Sequence, residues 1–195
     1  MRRKSEDKRR RIAEAAVRVF ARDGFHKAMI SRIADEAGVA TGSVYLYFEG
    51  KEDILQHLLS GLWERLHKMF KRVVSDDGLD PGEKIEALID GVFFVFERDP
   101  SLAQVFVHEQ PRLVRDGTGG FMAFYEEFLA MGAQVFREGI DSGSFKASLD
   151  PSVFTYIVLG ALRQLLNQWA RAPQELPLET LQVQLKGVIM GGVRA

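Results

Sequence analysis

The chain has 195 residues, of which 46% are hydrophobic and 27% are charged, and its formal net charge is −1. This length fits one large domain, or a small domain joined to a larger one. The sequence contains no cysteine, which excludes disulfides, thiolate catalysis and cysteine-ligated zinc, and no apolar run reaches the ~18 residues of a membrane span. We therefore expect a cytoplasmic protein with no membrane partner.

Basic residues are concentrated at the start of the chain. The first 11 residues contain seven basic and two acidic side chains. Such a segment is typical of a protein that meets a polyanion at one end, and equally of a solvated basic tail. Charge alone leaves both interpretations open.

The first three predicted helices are one long and two short. Apolar residues recur at helical spacing from Ile12, and Gly24 predicts the end of the first helix. Short helices are predicted at about 29–37 and 41–47, with Thr41 as the cap of the second.

A long amphipathic helix is predicted to begin at Lys51. Three later helix starts share an Asp-Pro pair, at Asp80, Asp99 and Asp150, because Asp caps free amides and Pro is tolerated at the first helical position. No alternating strand pattern appears. We expect an all-α fold of about nine helices, the later ones near 81–98, 100–113, 119–142, 151–171 and 177–192.

The two short helices have the pattern of a helix-turn-helix. Ile33, Ala34, Val44 and Phe48 supply an apolar spine, and Gly38 supplies the tight turn between the helices. The first turn of the second helix offers hydroxyls and exposed amides, which suit base edges and phosphates in the major groove. The pattern therefore predicts a DNA-binding protein.

This window closely resembles the N-terminal domain of the TetR/AcrR family of bacterial repressors. The shared pattern is Ile33-Ala34-x-x-Ala37-Gly38-Val39-x-x-Gly42-x-Val44-Tyr45-x-Tyr47-Phe48-x-x-Lys51-x-Asp53-x-Leu55. The resemblance implies a DNA-binding domain at 1–50 and a ligand-binding and dimerisation domain at 51–195. It also implies major-groove contacts from Thr41, Gly42, Ser43 and Tyr45, phosphate contacts from Tyr47 and Lys51, and a base or phosphate contact from Ser31. We expect Val44, Leu46 and Phe48 to be packing residues.

The body of the chain is rich in phenylalanine, which suits a cavity for a long apolar ligand. Arginines near these residues could bind an anionic head group. The predicted pocket residues are Phe93, Phe96, Phe106, Arg112, Phe121, Phe124, Tyr125, Phe128 and Arg163. Within the family, the chain most resembles the FadR-type subgroup, which senses long-chain acyl-coenzyme A. That resemblance implies an acyl chain in the aromatic cavity and coenzyme phosphates on arginine.

The last two predicted helices carry more apolar residues than is usual for helices on the surface of a monomer. The family uses such a pair as a four-helix dimer interface, and a two-fold dimer matches a palindromic operator. The predicted interface residues are Phe154, Val158, Ala161, Leu165, Trp169, Leu181, Leu185 and Val188.

Other functions compete with that of a repressor released by acyl-coenzyme A. The four histidines are scattered and no HExxH, phosphate loop or nucleophile elbow occurs, so we expect no enzyme activity, metal site or cofactor. Two alternatives share the fold. One is a sensor of another hydrophobic or drug-like ligand; a cavity lined by carboxylates such as Glu97, Glu109, Glu126 or Glu127, which could serve a cationic drug, would favour it. A DNA-binding protein that senses no ligand would have a sealed core.

Overall fold

The computed structural model describes the backbone of residues 2–116, 121–172 and 174–194, and the side chains of residues 5–109, 123–172 and 174–194. Nine helices make up this described part of the chain. Their bounds are α1 Arg2–Asp23, α2 Ile30–Ala37, α3 Thr41–Val44, α4 Lys51–Val74, α5 Pro81–Arg98, α6 Pro100–Asp116, α7 Phe121–Asp141, α8 Pro151–Arg171 and α9 Leu178–Val193.

The predicted all-α architecture is confirmed. Helices α1, α2 and α3 pack together as a small N-terminal unit, and α4 to α9 form a larger helical body. The domain boundary predicted between residues 50 and 51 stays a prediction. It falls where α4 begins, and α4 packs against α1 as well as against α5 and α7.

The Asp-Pro helix starts form as predicted. The Asp80 Oδ1 atom accepts the Glu83 amide at 2.9 Å, and the Glu83 carboxylate accepts the Asp80 amide at 2.8 Å, which completes a capping box. The Asp99 and Asp150 carboxylates accept the amides three residues further on, at 3.0 and 2.9 Å.

Two details of the third helix differ from prediction. It ends at Val44 rather than near Tyr47, because the Leu46 and Tyr47 amides bond three residues back, Tyr47 N to Val44 O at 2.9 Å, which makes turns rather than an α-helix. Thr41 is the first helical residue and not the cap. The capping position is Ala40, which has no side-chain hydrogen bond to the helix.

The turn of the helix-turn-helix depends on Gly38. Its φ of +64° is left-handed, a conformation that glycine adopts without steric cost. The Arg11 guanidinium of α1 donates to the Ala37 carbonyl at 2.7 Å. A Cβ added at Gly38 would lie 3.2 Å from a nitrogen of that guanidinium. The basic first helix therefore holds the end of α2 in place.

Candidate DNA-binding surface and internal cavity

The short helices rest on a closely packed base. Ile33, Ala34, Val44 and Phe48 are buried, together with apolar residues of α1. Phe48 also lies under the Arg9 guanidinium, 5.2 Å from its ring centroid, and beside the His57 ring of α4. Phe48, at the end of the turns that follow α3, is thus anchored to both α1 and α4.

Ion pairs on the surface bind α2 to α1. Arg18 donates to the Glu36 carboxylate at 2.8 Å, and Arg22 and Arg32 both reach Asp23. The Arg18 hydrogen bond holds the pKa of Glu36 below its ordinary value, and that of Arg22 does the same for the pKa of Asp23. Because these pairs are solvent-exposed, they add little to the stability of the fold, and we infer that they mainly orient α2 on α1.

Most predicted DNA contacts lie on the protein surface. Ser31, Thr41, Gly42 and Tyr45 are exposed, and Tyr45 is 58% exposed. Ser43 and Tyr47 are half-buried. A bulky phenol exposed to this degree is available to a partner, although the individual base and phosphate contacts stay predictions.

Leu46 was predicted to pack inside the protein, and that prediction is wrong. Its side chain is 79% exposed, because it lies midway between the buried Val44 and Phe48 and so points the other way. Met29, the capping residue of α2, is also 54% exposed. Apolar side chains at a DNA-binding surface contact thymine methyl groups, so Leu46 joins the candidate contacts.

Lys51 has partners inside the protein. Its Nζ atom donates to the carbonyls of His26, Phe25 and Ala28, at 2.9, 3.0 and 3.4 Å. The same atom lies 4.9 Å from the centroid of the Phe25 ring. These contacts join the start of α4 to the loop between α1 and α2. These internal contacts alone explain why residue 51 is a lysine, so a phosphate is not needed to account for it. The phosphate contact stays a prediction.

A cavity of about 340 Å³ lies in the body between α4, α5, α6, α7 and α8. Its volume falls within the range of small-molecule sites. Aromatic side chains form much of its wall, and the Trp63 ring lies 5.3 Å from the Phe106 ring in a tilted arrangement and meets the Phe128 ring edge to face at 4.9 Å, measured between centroids. The Phe96 and Phe106 rings lie 5.5 Å apart.

Arg163 is the one charged side chain among the described residues that line this cavity. Arg163 is exposed, and the neighbouring lining residue Tyr156 is 56% exposed, so the cavity opens beside α8. Buried residues, among them Phe70 and Phe128, form the inner part of the wall. The site therefore has a cationic mouth and an apolar interior.

The structure brings together five of the nine predicted pocket residues: Phe96, Phe106, Tyr125, Phe128 and Arg163. Phe93 is buried in the core outside the described wall. Phe124 is half-buried and stacks against His67 at 6.0 Å. The side chains of Arg112 and Phe121 lie outside the described residues.

Helix α4 supplies a part of the cavity wall that was not predicted from the sequence. Trp63, Leu66 and Phe70 line the cavity. They belong to the same apolar stripe that packs α4 into the core, so spacing could not separate the two roles. The one usable signal was Trp63, a large side chain with a polar atom, which suits a cavity wall.

Helix α6 contacts both the cavity and the N-terminal unit. Phe106 and Val107 line the cavity, whereas Leu102 and Val105 lie in the clefts beside α1. A ligand that displaces α6 therefore also acts on α1.

The predicted dimer residues divide into two groups. Val158, Trp169, Leu181 and Leu185 are buried within the single chain, so for these four we replace an interface role with a core role. Phe154, Ala161 and Leu165 are half-buried, and Val188 is 70% exposed. Val153, Ile157 and Val183 are further exposed apolar residues of α8 and α9, and their role in a dimer stays a prediction. No helix of the described residues is long and apolar enough to cross a membrane.

Comparison with known proteins identifies both parts of the chain. The family of bacterial regulatory proteins called tetR matches residues 12–58, and a tetracyclin repressor-like C-terminal domain matches residues 78–193. The chain is 29% identical over 187 residues to the fatty acid metabolism regulator protein of Bacillus subtilis, with 93% of each chain covered.

Solved structures agree with this assignment. The fatty acid degradation regulator FadR of Bacillus halodurans matches with a TM-score of 0.79 at 28% identity, covering 95% of each chain. FadR of Bacillus subtilis in complex with stearoyl-CoA matches with a TM-score of 0.73 at 28% identity, covering 94% of this chain and 98% of that one. The chain therefore belongs to the TetR family of bacterial regulatory proteins, and it is a ligand-responsive transcriptional repressor.

Proposed function

We propose that this repressor binds a palindromic operator as a homodimer in the bacterial cytoplasm and is released from DNA by a long-chain acyl-coenzyme A. The observation that carries the proposal is the cavity, with an aromatic interior and Arg163 at its mouth. An apolar chain fits the interior, and an arginine pairs with phosphate or carbonyl oxygens near the surface. The effector is a regulatory ligand, and the proposed mechanism needs no cofactor or catalytic step.

Two observations weigh against the alternatives. A sensor of cationic drugs would need a carboxylate to meet the cation, and none lines the cavity among the described residues. A protein that senses no ligand would have a filled core, whereas this chain has about 340 Å³ of open space. The resemblance to two regulators of fatty acid metabolism and degradation supports an acyl chain as the ligand.

The effector is tested by release of DNA. An operator duplex is first selected from a random pool with the purified protein, and its anisotropy is followed while palmitoyl-coenzyme A is added. Arg163→Met should require roughly tenfold to hundredfold more ester, because a charge-assisted hydrogen bond is worth about 1.5–3 kcal/mol. Arg171→Met is the matched control, since Arg171 is an exposed arginine of the same helix outside the cavity wall.

Three results would count against this effector. The first is no release by palmitoyl-coenzyme A. The second is equal release by free coenzyme A, which lacks the acyl chain. The third is an equal effect of the Arg163 and Arg171 substitutions, which would remove the arginine from head-group binding.

Dimerisation is tested by placing a charge on the exposed side of α9. Val188→Asp should shift the protein from dimer to monomer at micromolar concentration and weaken operator binding, because it buries a carboxylate in an apolar interface. Glu179→Asp is the control, at the exposed start of the same helix. Sedimentation velocity measures both, and an unchanged dimer in Val188→Asp would show that α9 is not the interface.

A further inference from the structure

A small chamber of about 30 Å³ lies beyond the inner end of the main cavity. The two spaces share four wall residues, Phe70, Phe128, Leu159 and Leu162. The Phe70 and Phe128 rings meet edge to face at a centroid distance of 4.6 Å. These two rings therefore stand between the cavity and the chamber.

The chamber offers an apolar surface, even though Thr155 forms part of its wall. The Thr155 hydroxyl donates to the Pro151 carbonyl of its own helix at 2.7 Å. Its methyl group faces Gly132 of α7, since a Cβ added to Gly132 would lie 2.8 Å from the Thr155 Cγ2 atom. A space without polar partners holds hydrocarbon better than water.

Gly132 leaves this space open. Every other side chain in the wall is larger, and a methyl group at position 132 would meet Thr155 inside van der Waals contact. Thr155 is 3% exposed and β-branched, so it has little freedom to move aside. The volume of the chamber is thus set by the smallest residue of α7 and by one methyl group of α8.

We infer that this chamber receives the terminal methyl end of the effector's apolar chain, and that Gly132 and Thr155 set the longest chain the repressor accepts. The inference rests on the proposed function, which places the anionic end of the ligand at Arg163 and its chain in the aromatic cavity. Arg163 lies about two helical turns from Thr155 along α8, so the tail of a ligand held at Arg163 can extend towards the Phe70 and Phe128 rings. A chain end that moves these two rings apart enters the chamber and gains further burial.

The effect of chain length follows from burial of methylene groups. Each methylene withdrawn from water tightens binding by roughly fourfold. Affinity should therefore rise along a series of saturated esters until the terminal methyl fills the chamber. Beyond that length the last carbons have no space, so affinity falls.

The test measures dissociation constants for saturated acyl-coenzyme A esters from octanoyl to arachidoyl, by quenching of tryptophan fluorescence in the full-length protein. Trp63 lines the cavity and reports on its filling. Gly132→Ala should lower affinity for the longest accepted ester by about tenfold and leave the octanoyl ester unchanged. Thr155→Ser removes only the methyl group and should extend the accepted length, with roughly fourfold tighter binding of the next longer ester.

The two substitutions are expected to act in opposite directions, which separates chain-length selection from loss of stability. Gly61→Ala of α4 is the matched control, because a methyl group there meets no atom within 4 Å and lies outside both spaces. Thr155→Ser tests the inference even if Gly132→Ala does not fold. Identical length profiles in wild type and Thr155→Ser would overturn the role of the chamber and leave the acyl-coenzyme A effector standing. Failure of every ester to bind the wild type would overturn both proposals.

Discussion

Replacing Lys51 by methionine should weaken operator binding by roughly a hundredfold and destabilise the N-terminal unit by about 3 kcal/mol. Methionine keeps the apolar stem but removes the ammonium group that binds the carbonyls of Phe25, His26 and Ala28. The loop between α1 and α2 would then lose its connection to the start of α4. Anisotropy with the selected operator measures affinity, and thermal unfolding measures stability.

The dependence of binding on salt distinguishes two roles for Lys51. If Lys51 contacts a phosphate, the slope of log K against log salt should be smaller by about one in the variant. If Lys51 positions the two helices, the affinity should fall while the slope stays the same. The internal hydrogen bonds lead us to expect an unchanged slope. Lys68→Met is the control, because Lys68 is an exposed lysine elsewhere on α4.

Replacing Glu138 by alanine should destabilise the folded protein by about 3 kcal/mol. Glu138 of α7 accepts a hydrogen bond from Lys84 of α5 at 3.0 Å, and Lys84 is only 6% exposed. Removal of the carboxylate leaves a buried ammonium without its counter-charge, which typically costs about 3–5 kcal/mol. We take the lower end because Glu138 itself is partly exposed. Urea denaturation measures the change.

A second substitution checks the cause of this loss. Adding Lys84→Met to Glu138→Ala should restore most of the stability, because the buried charge is then gone as well. Glu126→Ala, on an exposed position of the same helix, should have little effect. If the double variant were as unstable as Glu138→Ala alone, lost packing rather than the unpaired charge would be the cause.

The same ion pair makes stability depend on pH. Burial raises the pKa of Glu138, but hydrogen bonds from Gln134 and Lys84 and the charge of Lys84 outweigh burial and leave the pKa below its ordinary value of 4.5. A lowered carboxyl pKa stabilises the fold above the unfolded value, and the contribution is lost as pH falls through the folded value. The advantage of the wild type over Glu138→Gln should therefore begin to decrease below about pH 4.5 and be lost once the pH lies below the folded pKa.

The helices were predictable because their signals are local. Each Asp-Pro pair places a capping carboxylate next to a residue that suits the first turn, and no distant contact is needed for it to act. The end of α3 was not predictable in this way. Val44 and Phe48 have helical spacing, and the pattern continues although the hydrogen bonds shorten to three residues.

The sites were predictable only in part, because side-chain partners come from distant positions. Arg163 was recognisable as a charge within an apolar helix. The partners of Lys51 are backbone carbonyls 23–26 residues away, and every residue has a carbonyl, so sequence cannot indicate them. Likewise, Phe93 and Phe96 are both buried, and only Phe96, whose ring contacts Phe106 of α6, borders the cavity, which follows from tertiary packing and not from spacing.

The position of α6 between α1 and the cavity wall has a consequence for the order in which free and DNA-bound repressor molecules bind effector. Coupling between two binding sites is reciprocal, so an effector that weakens DNA binding by about a hundredfold is itself held about a hundredfold more weakly by the DNA-bound protein. Repressor dimers that are free in the cell would thus take up effector first and act as a buffer. Occupied operators would be released only after that free pool had filled, which sets a threshold for induction.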